Sequence, residues 1–259
     1  MIEITGKTSD IIEALALFGA SPDASTYGFN PLLFKVSKGK ISTSAPNISH
    51  TAFVSGEFNI KTKGTGEMVI DVLHTINRLK KYFSNEEVTI QFDEDKGKTI
   101  IKNKKMKSYS HPPAKGDCEY REIPFKKDKK GKLLMCGDPD SPESPTTKIE
   151  IDAKELHLLL SQASDVNVDY YSLFFKKDEQ SFSWIGDETD KTQNPIHTKI
   201  ECTVRGKDAS VQYSDAFKEI ISVLKGKITL YTSSSSPLWV VYEWKNGKVE
   251  YIIAPRLDN

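Results

Sequence analysis

Few side chains in these 259 residues are spaced to do covalent chemistry. Cys118 and His111 can be drawn as a nucleophile and its base, but that pairing needs a fixed hydrogen bond, and both sit in a proline-rich stretch with no regular element to hold it. His50, His157 and His197 lack metal-ligand spacing, and Asp187, Glu188 and Asp190 read as a solvated acidic turn rather than a cation cage. There is no Gly-rich phosphate loop, no Gly-x-Ser-x-Gly elbow and no His-Glu-x-x-His pair. Cys118, Cys136 and Cys202 are too few and too far apart for a disulfide framework or a paired-cysteine zinc site, so they read as reduced thiols. The expectation is a chain with no catalytic residues, no metal and no cofactor, and hence not an enzyme.

The chemistry that does recur is cationic. Thirty-six basic residues balance thirty-six acidic ones, so overall charge decides nothing and distribution must. On a helical period, Asp71 to Phe83 puts Val72, Leu73, Ile76, Leu79 and Phe83 on one face and His74, Arg78 and Lys81 opposite, with Lys80 at the boundary. A second helix, capped by Ser214 and stopped by Gly226, turns Phe217, Ile220, Ile221 and Leu224 inward and Lys218, Ser222 and Lys225 outward. A third opens with the capping-box pattern Asp152-Ala153-Lys154-Glu155, buries Leu156, Leu159, Leu160 and Ala163, and leaves Lys154, His157 and Ser161 outside. The helix after Thr8-Ser9-Asp10, with Ile11, Ile12, Leu15 and Phe18 inward and Gly19 as its stop, is the exception: its polar positions are Asp10 and Glu13. One cationic stripe is ordinarily a solvated face. Three of four helices sharing it suit phosphates bound without regard to sequence, and no base-reading module is present.

The elements carrying these stripes form two similar halves. Residues 1–112 and 148–259 each read as strand, helix, several strands, helix, several strands, which predicts an α+β fold of two duplicated domains with helices packed on antiparallel sheets. Leu33-Phe34 and Leu173-Phe174 occupy matching places, and Asn246-Gly247 is placed to make a two-residue hairpin turn. The intervening 113–147 is a connecting loop rich in proline and charge, with positive charge concentrated at Lys98–Lys107 and Arg121–Lys132. No apolar run reaches the ~20 residues of a membrane span, and Met1-Ile2-Glu3-Ile4 lacks a basic-then-apolar leader. The expected setting is the cytoplasm, nucleoid or nucleus, where the sequon Asn47-Ile48-Ser49 is a chance match.

The duplicated plan, the stretch from Ser236-Pro237-Leu238-Trp239 to Glu243, and the ending Tyr251-Ile252-Ile253-Ala254-Pro255-Arg256-Leu257 resemble the C-terminus of the proliferating cell nuclear antigen (PCNA) family of DNA polymerase sliding clamps. "KTIIKNKKMKSYSHPPAKG" is similar to tailed-phage clamps, which makes a viral or archaeal type the preferred reading. The resemblance implies two clamp-fold domains per chain and a homotrimeric ring of six, with helices lining the hole and sheets outside. It implies a processivity factor that holds duplex DNA and tethers polymerase, with a clamp loader as a further candidate partner. Arg78, Lys80, Lys81, Lys154, Lys218 and Lys225 become channel residues, with Arg205 and Lys207 on loops. Ring closure falls to Lys105–Ser110 and His197–Val204 as edge strands.

The resemblance also implies a pocket for short hydrophobic partner motifs. Pro237, Tyr251, Ile252, Ala254, Pro255 and Leu257 would wall one side, Ile123, Pro124 and Phe125 another, and the loop from Ala45 to Ile48 the third; Leu133-Leu134-Met135 is an alternative linker wall. The chain departs from the family in being neutral rather than acidic overall, and in its acidic first helix. Two other readings stay open at this point: a non-ring or heteromeric clamp-fold subunit, and a scaffold that binds only proteins.

Overall fold

The computed structural model describes residues 1–19, 29–113, 115–118, 120–121, 126–127, 133–134, 144–164, 171–185 and 197–256. Ile123, Pro124, Phe125, Met135, Leu257 and the acidic cluster at 187–190 lie outside the described residues. The chain divides into two compact units, Met1–Glu122 with Glu243–Val249, and Ile123–Tyr242 with Glu250–Asn259.

In the first unit, buried Ile2 and Ile4 alternate with half-buried Glu3 and Thr5, which gives β1 (Ile2–Lys7) one core-facing side. α1 (Thr8–Gly19) follows at once and buries Ile11, Ala14, Leu15, Leu17 and Phe18. The chain continues through β2 (Leu32–Ser37), β3 (Lys40–Pro46), β4 (Ala52–Asn59), β5 (Lys61–Lys63), β6 (Gly66–Ile70), α2 (Val72–Tyr82), β7 (Glu87–Asp93), β8 (Lys98–Lys102) and β9 (Lys107–Ser110). Its antiparallel sheets run β5-β1-β7-β8-β9 and β4-β3-β2-β6. Asp71 caps α2 by accepting the His74 N–H at 3.0 Å, and the Asn30 side-chain oxygen takes the Val72 N–H at 2.6 Å, so two otherwise orphaned donors are satisfied. Thr8, which opens α1, donates its hydroxyl to the Phe83 carbonyl at 2.8 Å and so ties the start of one helix to the end of the other.

Residues 243–249 belong to this unit, where Trp244 packs on Phe18 and Phe58 and the Asn59 N–H donates to the Asn246 carbonyl at 2.7 Å. The turn here is Lys245-Asn246, not Asn246-Gly247, and neither turn residue has a positive φ. Gly247 starts a strand instead. A Cβ on it would stand 2.7 Å from Trp244 Cζ2 and closer still to the Glu57 carbonyl, so close approach is what demands glycine.

The front of the connection is fastened to the first unit. A 3-10 turn at Lys115–Asp117 places the Lys115 ammonium 2.8 Å from Glu67 and 3.4 Å from Glu94, which holds the Glu67 carboxyl below its usual range and raises Lys115. Lys35 lies over the Tyr120 ring at 3.6 Å, and the Arg121 N–H donates to the Ser44 carbonyl at 3.1 Å. Beyond it, β10 (Lys126–Lys127) pairs with β11 (Leu133–Leu134).

The second unit repeats the first. β12 (Thr147–Asp152), α3 (Ala153–Ser164), β13 (Tyr171–Lys176), β14 (Ser181–Ile185), β15 (His197–Glu201), β16 (Thr203–Gly206), β17 (Ala209–Tyr213), α4 (Ala216–Val223), β18 (Lys227–Thr232), β19 (Leu238–Trp244) and β20 (Gly247–Ile253) follow in order. Each unit is strand, helix, five strands, helix, three strands. The sheet orders match as well: β16-β12-β18-β19-β20 mirrors β5-β1-β7-β8-β9, and β15-β14-β13-β17 mirrors β4-β3-β2-β6. The fold is therefore α+β with a duplicated unit, as the sequence predicts. One cap differs from expectation. α4 opens at Asp215, which makes no side-chain cap bond, while Ser214 accepts the Phe217 N–H on its carbonyl at 2.9 Å and buries a hydroxyl without a partner among the described residues.

Candidate nucleic-acid interface and partner surfaces

The cationic stripes survive folding, with two changes. Lys80 and Lys81 lie exposed in the last turn of α2, where their charge complements the carbonyl end of the helix. Arg78 does not share that freedom: it is half-buried and donates to Ser108 Oγ at 2.8 Å and to the Tyr109 carbonyl, so its charge is committed to β9. Lys154 is exposed in the first turn of α3, its backbone N–H bonded to Asp152 at 2.9 Å. His157, expected on the outward stripe, instead bridges the helices, with Nε2 2.9 Å from the Ile221 carbonyl of α4. Lys218 is exposed on α4, and Lys225 is exposed just past its end, because the helix stops at Val223 rather than reaching Leu224. Lys80, Lys154, Lys218 and Lys225 have no ion-pair partner among the described residues. α1 carries exposed Glu13 and half-buried Asp10, as expected. Arg205, expected on a loop, instead lies in β16, where β12 pairs with it; it is exposed and 3.6 Å from Glu150, while exposed Lys207 follows the strand, its backbone N–H donating to the Thr146 carbonyl at 3.0 Å.

The residues expected to meet partner motifs separate by burial. In the first unit Ala45 is buried, whereas Ile48 is 64% exposed. The loop that presents Ile48 is rigid: Asn47 accepts the Ala52 N–H on Oδ1 at 2.9 Å and donates Nδ2 to Ser49 and Thr51. In the second unit Tyr251 and Ile252 are core residues, Pro237 and Pro255 are half-buried and Ala254 is exposed. Tyr251 and Ile252, like Ala45, therefore support a surface rather than form it. The Ala254-Pro255-Arg256 tail is not loose. Pro255 bridges to Tyr213, and the Arg256 N–H donates to the Gln212 carbonyl at 2.8 Å. Tyr213 in turn holds the turn before β19, its hydroxyl 3.0 Å from Thr232 Oγ1 and 3.1 Å from the Ser236 carbonyl.

Among the described residues clefts adjoin the sheet edges, and little in the sequence announces them. In the first unit a cleft of about 460 Å³ lies between α2 and β9, lined by His74, Arg78, Lys81, Tyr82, Met106 and Lys107 among others, with no acidic residue. In the second, a cleft of about 1150 Å³ is lined by Glu150, Asp152, Glu155, Glu179 and Glu201, against Lys199 and Lys227. Hydrogen bonds from Lys148 and Lys199 hold the Glu150 and Glu179 carboxyls below their usual range. Leu158 marks the second cleft: it is 54% exposed beside buried Leu159 and Leu160.

Cys202 lines that acidic cleft, and burial pushes its thiol up to about 11 from 9.0. A raised pKa favours the protonated thiol in the folded state, so this contribution to stability is complete below about pH 9 and lost as pH rises toward about 11. With Cys118 and Cys136 changed to serine, Cys202 is expected to react with Ellman's reagent at pH 8 roughly a hundredfold more slowly in the folded chain than in denaturant. Equal rates would show the thiol to be open to solvent.

Two copies of one strand-helix-strands unit, each with a helix pair behind antiparallel sheets, define the sliding-clamp fold, and this chain has it. Solved structures of low sequence identity share it over the whole chain. The A. fulgidus PCNA with the C-terminal region of FEN-1 bound superposes with a TM-score of 0.75 at 15% identity, covering 100% of both chains. The Entamoeba histolytica PCNA gives 0.76 at 12% identity over 99% of each chain. The Bacillus subtilis DNA polymerase sliding clamp gives 0.73 at 15% identity, covering 99% of this chain and 64% of the bacterial one. No family model and no curated protein matches the sequence.

Proposed function

We propose that this protein is a DNA sliding clamp: copies close head to tail into a homotrimeric ring around duplex DNA and tether polymerase and other replication or repair proteins to it. The observation that carries the reading is the correspondence of the two units in element and sheet order, which gives each a helix pair with exposed lysines that have no ion-pair partner among the described residues. Duplicated units can present such helices to a common opening, with the segment 113–147 joining clamp domains 1–112 and 148–259.

The electrostatics favour sliding over tight binding. A neutral chain with scattered lysines makes phosphate contacts that are individually weak and salt-sensitive, and enclosure rather than affinity supplies retention. Lys80, Lys81, Lys154, Lys218 and Lys225 are the channel residues in this reading, with Arg205 and Lys207 at its margin and Arg78 as structural support. Ile48 in the first unit, and Pro237, Ala254 and Pro255 in the second, are the described candidates for contacting short hydrophobic motifs in this reading; Ile123, Pro124, Phe125 and Leu257, expected with them, lie outside the described residues. Such a protein works inside the cell on DNA, is not an enzyme, and takes no cofactor; a clamp loader is a candidate partner.

The test is primer extension on a singly primed circular template, by the polymerase of the same source, with and without this protein. Longer products on the circle, lost when the template is linearised so that a ring can run off, are the expected result. Equal stimulation on both templates would favour a non-ring processivity factor, and none on either would leave a protein-only scaffold.

A further inference from the structure

We propose that the front of the connection, residues 115–118 with Tyr120 and Arg121, is a strap that Lys115 latches by charge across the outer face of the first unit, and that the latched strap positions the Ile48 loop for polymerase. The role toward polymerase rests on the clamp reading above, while the latch rests on contacts inside the first unit alone.

In the sheet β4-β3-β2-β6, Phe34 and Met68 face inward, and the Phe34 ring meets Phe18 of α1 at 5.6 Å. Alternation therefore turns Leu33, Lys35, Glu67 and Val69 outward, and the pairing of β2 with β3 turns Ser42 and Ser44 the same way. Lys35, Ser42 and Glu67 reach solvent, as residues on an outer face do. Leu33, Ser44 and Val69 do not: they are 7%, 5% and 1% exposed, so this end of the face is covered. The strap is seated on the same strands. Lys115 reaches Glu67 of β6 at 2.8 Å, the Tyr120 ring takes Lys35 of β2 at 3.6 Å, and the Arg121 N–H donates to the Ser44 carbonyl of β3 at 3.1 Å. The contacts thus step across neighbouring strands of one sheet.

Lys115 is the member that can let go. Its ammonium also lies 3.4 Å from Glu94, in the turn after β7, so one cation joins the two sheets of the unit. The Glu67 carboxyl is held below its usual range first by its hydrogen bond to Lys115, as a pair made in the folded chain requires. The three side chains are between 38% and 65% exposed, and ion pairs in that setting are individually weak and screened by salt, so substitution or salt can open the latch. Closed, the strap fixes Ser44, and Ser44 leads through Ala45 and Pro46 into the Asn47-braced loop that exposes Ile48. Fixing that edge before a partner arrives spares the binding step the cost of ordering it. Lys115 is thus a positioning residue: it acts on the partner surface through the strap.

The test compares the wild type with Lys115→Arg, which keeps a cation between the carboxylates, and with Lys115→Glu, which puts a further carboxylate beside Glu67 and Glu94. Lys115 is exposed, so neither change disturbs folding. The first readout is hydrogen exchange at the Arg121 amide, followed by mass spectrometry. Exchange about tenfold faster in Lys115→Glu than in the wild type, and unchanged in Lys115→Arg, is the expected result. Raising salt from about 0.1 to about 1 M, which shortens the screening length from about 10 to about 3 Å, should narrow that gap. The second readout is the Kd of the polymerase of the same source for the full-length protein, measured without DNA. It is expected to rise at least about threefold in Lys115→Glu, with Lys115→Arg again like the wild type. Unchanged exchange in Lys115→Glu, or faster exchange with an unchanged Kd, overturns the strap's role and leaves the clamp reading standing. A wild-type protein that binds no polymerase and lengthens no product on the primed circle overturns both.

Discussion

Changing Lys80, Lys154, Lys218 and Lys225 together to glutamate is expected to reduce extension on a singly primed circle to the level of polymerase alone. All four side chains are exposed and unpaired among the described residues, so their replacement removes no packing and stability stays within about 0.5 kcal/mol per site. Lys81 is left in place because it lines the cleft beside β9, and a change there would confuse DNA contact with assembly. The mechanism is electrostatic. Each phosphate contact lowers the salt exponent of binding by about 0.9, so reversal replaces a weak attraction at every helix pair with repulsion of the duplex. A control of equal charge change, Lys38, Lys61, Lys63 and Lys245 to glutamate, alters exposed lysines outside the helices and is expected to extend primers like the wild type. Loss of activity in both variants would trace the effect to net charge. Full activity in the first would remove the helix faces from the account.

What the sequence disclosed was periodicity, and where periodicity was strong the elements followed it. The stripes of α1 and α2, the alternation of Ile149 with Ile151 and the run from Leu238 to Trp244 all became the elements they predict. Short or polar segments did not announce themselves. β5 is Lys61-Thr62-Lys63, and it is a strand because β1 offers it a ladder rather than because of its own composition. Fold duplication was legible because two halves had to repeat both kinds of period in the same order.

The candidate sites were less legible, for a different reason. A helical wheel places Arg78 and His157 on polar faces, but it cannot show that β9 and α4 bring acceptors to them. Ala45, Tyr251 and Ile252 belong to segments of the right kind, yet their burial depends on layers supplied by distant strands. The acidic cleft is the clearest case of this limit. Glu150, Glu155, Glu179 and Glu201 are spread along the chain and meet only because β12, α3, the β13–β14 turn and β15 converge. Leu158 was the one local sign, an apolar residue out of phase with the buried face of its helix.

Phe18→Ala is expected to lower stability by about 3–5 kcal/mol, seen as a shift in the midpoint of chemical unfolding followed by tryptophan fluorescence. Phe18 is fully buried on α1, with its ring edge-on to Phe34 at 5.6 Å and to Trp244 at 6.1 Å, so truncation removes apolar burial and two aromatic contacts at once. Gly56 shows how tightly the site is filled. A Cβ there would lie 2.5 Å from Phe18 Cε1 and 2.8 Å from the Lys248 carbonyl, so Gly56→Ala alone must displace either a ring or a backbone. The two changes should therefore be less than additive, because without the Phe18 ring only the Lys248 carbonyl still opposes the new methyl. A coupling on the order of 1 kcal/mol in the double-mutant cycle is the expected result. Strict additivity would mean that the Lys248 backbone, not the ring, fixes how closely β4 and the last hairpin approach. The consequence reaches function through α1, since the ring that anchors this helix also anchors residues 243–249.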